Sequence, residues 1–199
     1  MHRILLTIVG PLMLGGCWLG PDFYAGEPSV QAVPPGKYKP VEVFALFPED
    51  EARLANEPVG ARIQISYDDR GNINVKGNDD FGYASNVRLI SLDERPGVYV
   101  VQVDPGDGAV AVNTFVYGLV TLTTSGYRLS LPPCNGARRL TPGSPVVVKG
   151  LLFKRQCSFR DRASFEVAMR DFADDPTSWT EYRRVRDRRV TTPDRPSTG

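Results

Sequence analysis

Carboxylates, thiols and a run of arginines are the side chains of this sequence whose types and spacing could do chemistry. Acidic pairs stand at Asp68/Asp69, Asp79/Asp80 and Asp174/Asp175, with Glu49-Asp50-Glu51 as a further group. Two facing carboxylates can divide the acid and base roles of glycoside hydrolysis, or hold calcium through oxygen. Each pair falls where a turn or a helix end is expected, however, and there Asp is favoured because its side chain bonds to nearby backbone. Asp104-Pro105-Gly106-Asp107-Gly108 lacks the alternating oxygen ligands and closing Glu of a calcium loop. The sequence contains neither a Gly-x-Ser-x-Gly elbow nor a phosphate-cradling loop with its Lys. Its one histidine is His2, so histidine triads and imidazole-ligated zinc would hang on a single residue at the N-terminus. No catalytic residue, metal ligand or cofactor is expected. An enzyme built on this sequence would have to work with carboxylates, or with Ser and Lys.

The three cysteines are more informative. Cys17 ends Leu14-Gly15-Gly16-Cys17, behind an apolar run from Ile4 to Met13 and the basic residue Arg3. Ten apolar residues, with Gly10 and Pro11 among them, fall short of the roughly 20 that cross a bilayer, and suit the core of a signal peptide. The layout resembles the signal peptide and lipobox of bacterial lipoproteins. That resemblance implies that residues 1–16 are removed and that Cys17 becomes a diacylglyceryl, palmitate-bearing N-terminus. Two acyl chains anchor a protein stably where one does so only marginally. Trp18 rather than Asp follows the cysteine, which within that class favours the outer membrane, on its periplasmic side. Cleavage there removes His2, leaving a mature chain without histidine.

Cys134 and Cys157 then remain as a pair in an oxidising compartment, where two thiols are expected to join as a structural disulfide. In the chain-entropy account, closing that loop stabilises the fold by about 3 kcal/mol. A redox pair would sit closer together, as in Cys-x-x-Cys.

The arginines give the charge pattern. Residues 18–137 carry 9 basic and 15 acidic residues, and residues 138–199 carry 14 basic and 8 acidic. Much of the positive excess lies in Arg183, Arg184, Arg186, Arg188 and Arg189. Such a cluster could meet anionic lipid, peptidoglycan carboxylates or an acidic envelope protein, at about 1 kcal/mol per basic residue near an anionic surface. It could also be a solvated helix end, whose dipole suits positive charge. Nucleic acid is not expected in that compartment.

The elements that must position these residues follow from periodicity. Residues 17–40 are punctuated by Pro21, Pro28, Pro34, Pro35, Gly36 and Pro40 and read as a lipidated N-terminus with a semi-stiff tether, reaching up to roughly 60 Å. The alternative is a segment packed along the domain, with Phe23, Tyr24 and Tyr38 as pegs. From about residue 41 to 186 short β-rich runs alternate with turn signals. Ala61 to Tyr67 alternates polar and apolar, the period of a half-buried strand, and Asp68-Asp69-Arg70-Gly71-Asn72 turns the chain into Ile73-Asn74-Val75. Similar runs follow at 87–92, 98–103, 115–123, 127–131 and 146–154. After Cys157 the period lengthens: Phe165, Met169 and Phe172 share one helical face from Asp161 onward. Trp179, Tyr182 and Val185, spaced by threes, predict a second short helix. Residues 187–199 form a tail. The expectation is a mainly β domain, an antiparallel meander closed as a small sandwich or barrel, with one or two C-terminal helices packed on it. The function expected is a lipid-anchored, non-catalytic binding or structural module of the bacterial cell envelope. The alternative is a small-ligand carrier whose apolar pocket is lined by some of Phe44, Phe115, Tyr117 and Phe153.

Overall fold

Alternation sets the wall of the fold. In Ile63–Tyr67 the isoleucines are buried while Gln64 and Ser66 face solvent, because successive side chains of a strand point to opposite faces. A computed structural model of the protein describes residues 18–45, 62–77, 83–92, 95–104, 114–132, 146–148, 156–159 and 161–185. Its strands are β1 (Trp18–Gly20), β2 (Gly36–Ala45), β3 (Ile63–Tyr67), β4 (Ile73–Gly77), β5 (Tyr83–Ser91), β6 (Val98–Val103), β7 (Phe115–Leu122), β8 (Gly126–Ser130), β9 (Val146–Val148), β10 (Gln156–Ser158) and β11 (Ser178–Arg184). The helix α1 (Arg162–Asp174) precedes β11.

Strands β2 to β8 pair in sequence as antiparallel neighbours, and β11 enters between β8 and β2. The result is a closed barrel of eight strands with one helix packed on it, the barrel form of the expected β meander. Eight strands enclose a space that side chains just fill. One buried cluster takes a residue from every barrel strand, from Tyr38 of β2 to Tyr182 of β11. The short turns β3–β4, β5–β6 and β7–β8 lie at one end of the barrel. There the 29–35 segment closes the mouth. Val33 joins the interior cluster, Tyr38 Oη donates to the Pro34 carbonyl (2.7 Å) and Tyr67 Oη to that of Val33 (2.6 Å).

The outer face of β5, β6 and β7 carries a second core. The helix is capped by Asp161, which accepts from the Ser164 amide at 2.8 Å, and lays Phe165, Ala168, Met169 and Phe172 against this face. Phe165 is its hub, within 4.6 Å of the Tyr117 ring, 5.0 Å of Phe23 and 5.3 Å of Phe159. Strand β1 pairs with β7 and, in parallel, with β10, which brings Trp18 and Cys157 into the same core.

Two expectations are corrected. The 17–40 segment is not a tether over its described part: Trp18, Leu19, Tyr24, Val33 and Tyr38 are buried, and β2 begins at Gly36. The prolines are accommodated, not extended into solvent. Pro40, which cannot donate to a ladder, sits where the β2–β11 register shifts, between Tyr182↔Pro40 and Glu181↔Glu42. Phe23 and Tyr24 peg the segment to α1, as the packed alternative had it. The domain therefore takes up the chain at Trp18, not at residue 41. The second correction concerns the second short helix expected from Trp179, Tyr182 and Val185, whose place the strand β11 takes, while the first stands as α1. Trp179 and Tyr182 lie on opposite faces of that strand, and the spacing by threes arises from its two faces, both partly covered. The 187–199 tail lies outside the described residues.

Two predictions follow from this architecture. A Cβ at Gly126 would overlap the Tyr182 carbonyl across the closing seam. Gly126→Ala is expected to cost about 3 kcal/mol in urea unfolding, and an unchanged midpoint would contradict the seam. The Asp161 carboxyl is held below the usual carboxylate range by the Ser164 amide and hydroxyl. A carboxyl depressed by folding gives stability that is present above its unfolded value and lost as pH falls through the folded one. Asn caps equally well without titrating. Asp161→Asn should therefore flatten the fall of melting temperature below about pH 4, with part of the slope left to Asp174, held low by Arg95.

Candidate functional site

The wall opposite α1, formed by β8, β11, β2, β3 and β4, has an outer face on which no described helix or strand packs, and its composition is uneven. On this face Lys37, Lys39, Lys76, Arg128 and Arg183 stand against Glu42 and Glu181 only, among the described residues, while Arg184, paired with the inward Tyr38, lies at the barrel's rim. Strand alternation produces the segregation. Tyr38 points inward and is fully buried, so Lys37 and Lys39 point outward and are exposed.

Across β2, β11 and β8 this wall carries an aromatic and ionic ladder. Phe44 of β2 stacks on Trp179 of β11 with ring centroids 5.6 Å apart. The Arg128 guanidinium of β8 lies 4.1 Å from the Trp179 ring centroid, where the ring's negative face attracts a cation. Arg128 Nε donates to Glu181 Oε2 at 3.2 Å, and Arg183 Nη2 to Glu181 Oε1 at 3.3 Å. The Glu181 side chain is only 8 % exposed, packed between two arginines that remain largely in water. Phe44 is 40 % exposed. At the barrel's closed end Arg184 Nη2 donates to the Pro35 carbonyl at 2.9 Å, fixing the rim of the wall. The arrangement offers fixed positive charge beside half-exposed aromatic rings, a surface for binding and not for bond making.

The expected residues fall as follows. Arg183 and Arg184 lie on β11, not on a helix, and Arg183 so joins charges from three other strands, β2, β4 and β8; Arg186, Arg188 and Arg189 lie outside the described residues. Cys17 and Cys134 also lie outside them. Cys157 is fully buried and disulfide-bonded, with its partner outside the described residues. The proposed carrier lining is not assembled. Phe44 is on the outer wall, Phe115 and Tyr117 belong to the core beneath α1, and Phe153 is outside the described residues. Described members of the acidic pairs have structural partners. Asp68 accepts from the Arg70 and Asn72 amides, Asp174 pairs with Arg95 and Asp175 caps α1. Asp22, on the helix side, is a clasp: it accepts from Arg88 (3.2 Å) and Gln102 (3.0 Å), while Arg88 also donates to the Tyr24 and Glu27 carbonyls.

Sequence reading missed Lys37, Lys39, Lys76, Arg128 and the Phe44–Trp179 pair. The signal was present in Lys37-Tyr38-Lys39, whose alternation marks a strand with a charged outer face. Compared with family models, with curated proteins and with solved structures, the chain matches none of them. The ladder can be probed directly. Arg128→Ala removes the ring contact and one partner of the buried Glu181, and is expected to cost about 1–2 kcal/mol in chemical unfolding. Arg183→Ala, more exposed, should stay within about 0.5 kcal/mol. Equal losses would contradict a central role for Arg128.

Proposed function

We propose that this protein is a lipid-anchored, non-catalytic module of the bacterial cell envelope, fixed through Cys17 on the periplasmic side of the outer membrane. The observation that carries the reading is the lipobox Leu14-Gly15-Gly16-Cys17, with Trp18 already packed in the core at 4 % exposure. Among the described residues no helix is long and apolar enough to cross a membrane, so on this reading attachment rests with the lipid. The Cys134–Cys157 disulfide belongs to the same proposal, since it suits an oxidising compartment.

A small-ligand carrier is the second reading, because closed eight-stranded barrels can hold one small ligand. Here the interior cluster and the Val33 plug occupy that space at the closed end, which favours a module that binds on its outside. Catalysis is not part of the reading: Asp22, Asp68, Asp161 and Asp174 are taken up by ion pairs, a turn and a cap.

Mass spectrometry of the mature N-terminus tests the anchor. A diacylglyceryl, acylated Cys17 is expected, and Cys17→Ser should move the protein from the membrane to the soluble fraction. A mature chain beginning elsewhere, or an unmodified Cys17, overturns it. Non-reducing peptide mapping should find Cys134 joined to Cys157, and a different partner for Cys157 would refute that pairing.

A further inference from the structure

The helix side and the opposite wall differ in charge. Around α1, Glu27, Asp161, Glu166, Asp171, Asp174 and Asp175 outnumber Arg95, Arg162 and Arg170, whereas the wall is basic. This division is not the one along the sequence, since Lys37, Lys39, Lys76 and Arg128 come from the half with an acidic excess. A molecule so divided turns its basic wall toward any anionic plane, because field and dipole align before contact. At one end of the wall, where β2 ends and β11 begins, Phe44 and Trp179 supply half-exposed rings of the kind that settle at the boundary between headgroups and acyl chains.

Position also matters. One edge of β7 pairs with β1 through 115–117 and with β8 through 119–122. The N-terminal strand and the Arg128–Trp179 wall are therefore neighbours around the barrel. Trp18 is buried directly after Cys17, so a lipid on Cys17 would hold the barrel within a residue's length of the bilayer.

We infer that the outer face of the β4–β3–β2–β11–β8 wall is a membrane-docking surface for anionic phospholipid. Lys37, Lys39, Lys76 and Arg183 meet phosphates, and Phe44 and Trp179 lie at the headgroup boundary. The inference rests on the lipid-anchor reading for its choice of a bilayer over an acidic protein. It extends that reading by assigning which side of the protein faces the membrane.

The test is a lysine-acetylation footprint of the unaltered mature protein, its N-terminal mass measured first. The protein is reconstituted in phosphatidylcholine vesicles with and without phosphatidylglycerol. Lys37, Lys39 and Lys76 are expected to react at least about fivefold more slowly on the anionic vesicles, with the difference removed by 0.5 M salt, since screening weakens exposed charge contacts. Equal rates on both vesicles, with Cys17 acylated, overturn docking while leaving the anchor, and would return the face to an acidic protein partner. If Cys17 carries no lipid, the anchor reading fails, and the same footprint of the unlipidated chain with added vesicles decides docking by itself. In that unlipidated form, Lys37→Gln/Lys39→Gln should bind anionic vesicles about 30-fold more weakly, from about 1 kcal/mol per charge. Trp18→Phe leaves Trp179 as the only tryptophan of the two. Headgroup spin-labelled lipid should quench it on anionic vesicles only, and no quenching there counts against docking.

Discussion

Closure of the barrel depends on β11, the last described strand, which is bonded on one side to β2 and on the other to β8. With β11 absent the sheet would end in two bare edges, each a template for pairing with another chain. The seam is held by more than backbone. Tyr127 and Tyr182 stack at 5.2 Å, and Tyr38 meets Tyr127 edge-on at 5.3 Å. A close approach at Gly126 lets the two backbones come together. Because β2 and β11 are joined only after nearly the whole domain has been made, the pairing is strongly non-local, and loop-closure entropy must be met before it contributes. The interior cluster and the basic outer wall are both consequences of that single closure.

The second core depends on a different economy of surface. The outer face of β5, β6 and β7 is apolar and would be an exposed patch on a bare barrel. The chain covers it with pieces from both ends, α1 on one side and the β1 to Glu27 segment on the other. The two pieces meet at Phe165, where Phe23, Tyr24, Tyr117 and Phe159 converge. Asp22 and Arg88 then fasten the covering polar backbone, so the segment's carbonyls are bonded where they leave water.

Much of this was legible in the residues. The alternation of Ala61 to Tyr67 and the periodicity of Phe165, Met169 and Phe172 give local geometry directly, and both elements stand where they were expected. What misled were segments whose structure is decided by distant partners. Pro21, Pro28, Pro34 and Pro40 have the local conformation of a spacer, but Tyr24, Val33 and Tyr38 add enough apolar burial to dock it. Trp179 and Tyr182 have a helical spacing, but a closing strand covered on both faces admits apolar residues at any offset. The basic wall was hidden for the same reason. Its charges come from four of its five strands, one or two basic residues from each, and from both halves of the sequence, and only the barrel brings them together.

The burial of Trp18 bears on how hard any surface of this protein must work. A domain on a long tether searches a hemisphere tens of ångströms deep, and a docking face must then be strong to be occupied. A domain whose first packed residue follows its lipid directly is already confined to a thin layer. The effective concentration of headgroups it meets is on the order of millimolar or above. On the proposed reading, a wall of modest intrinsic affinity would be filled almost continuously. Orientation would then be set by the anchor and the charge of the wall jointly, the two acting as a bivalent grip on one membrane.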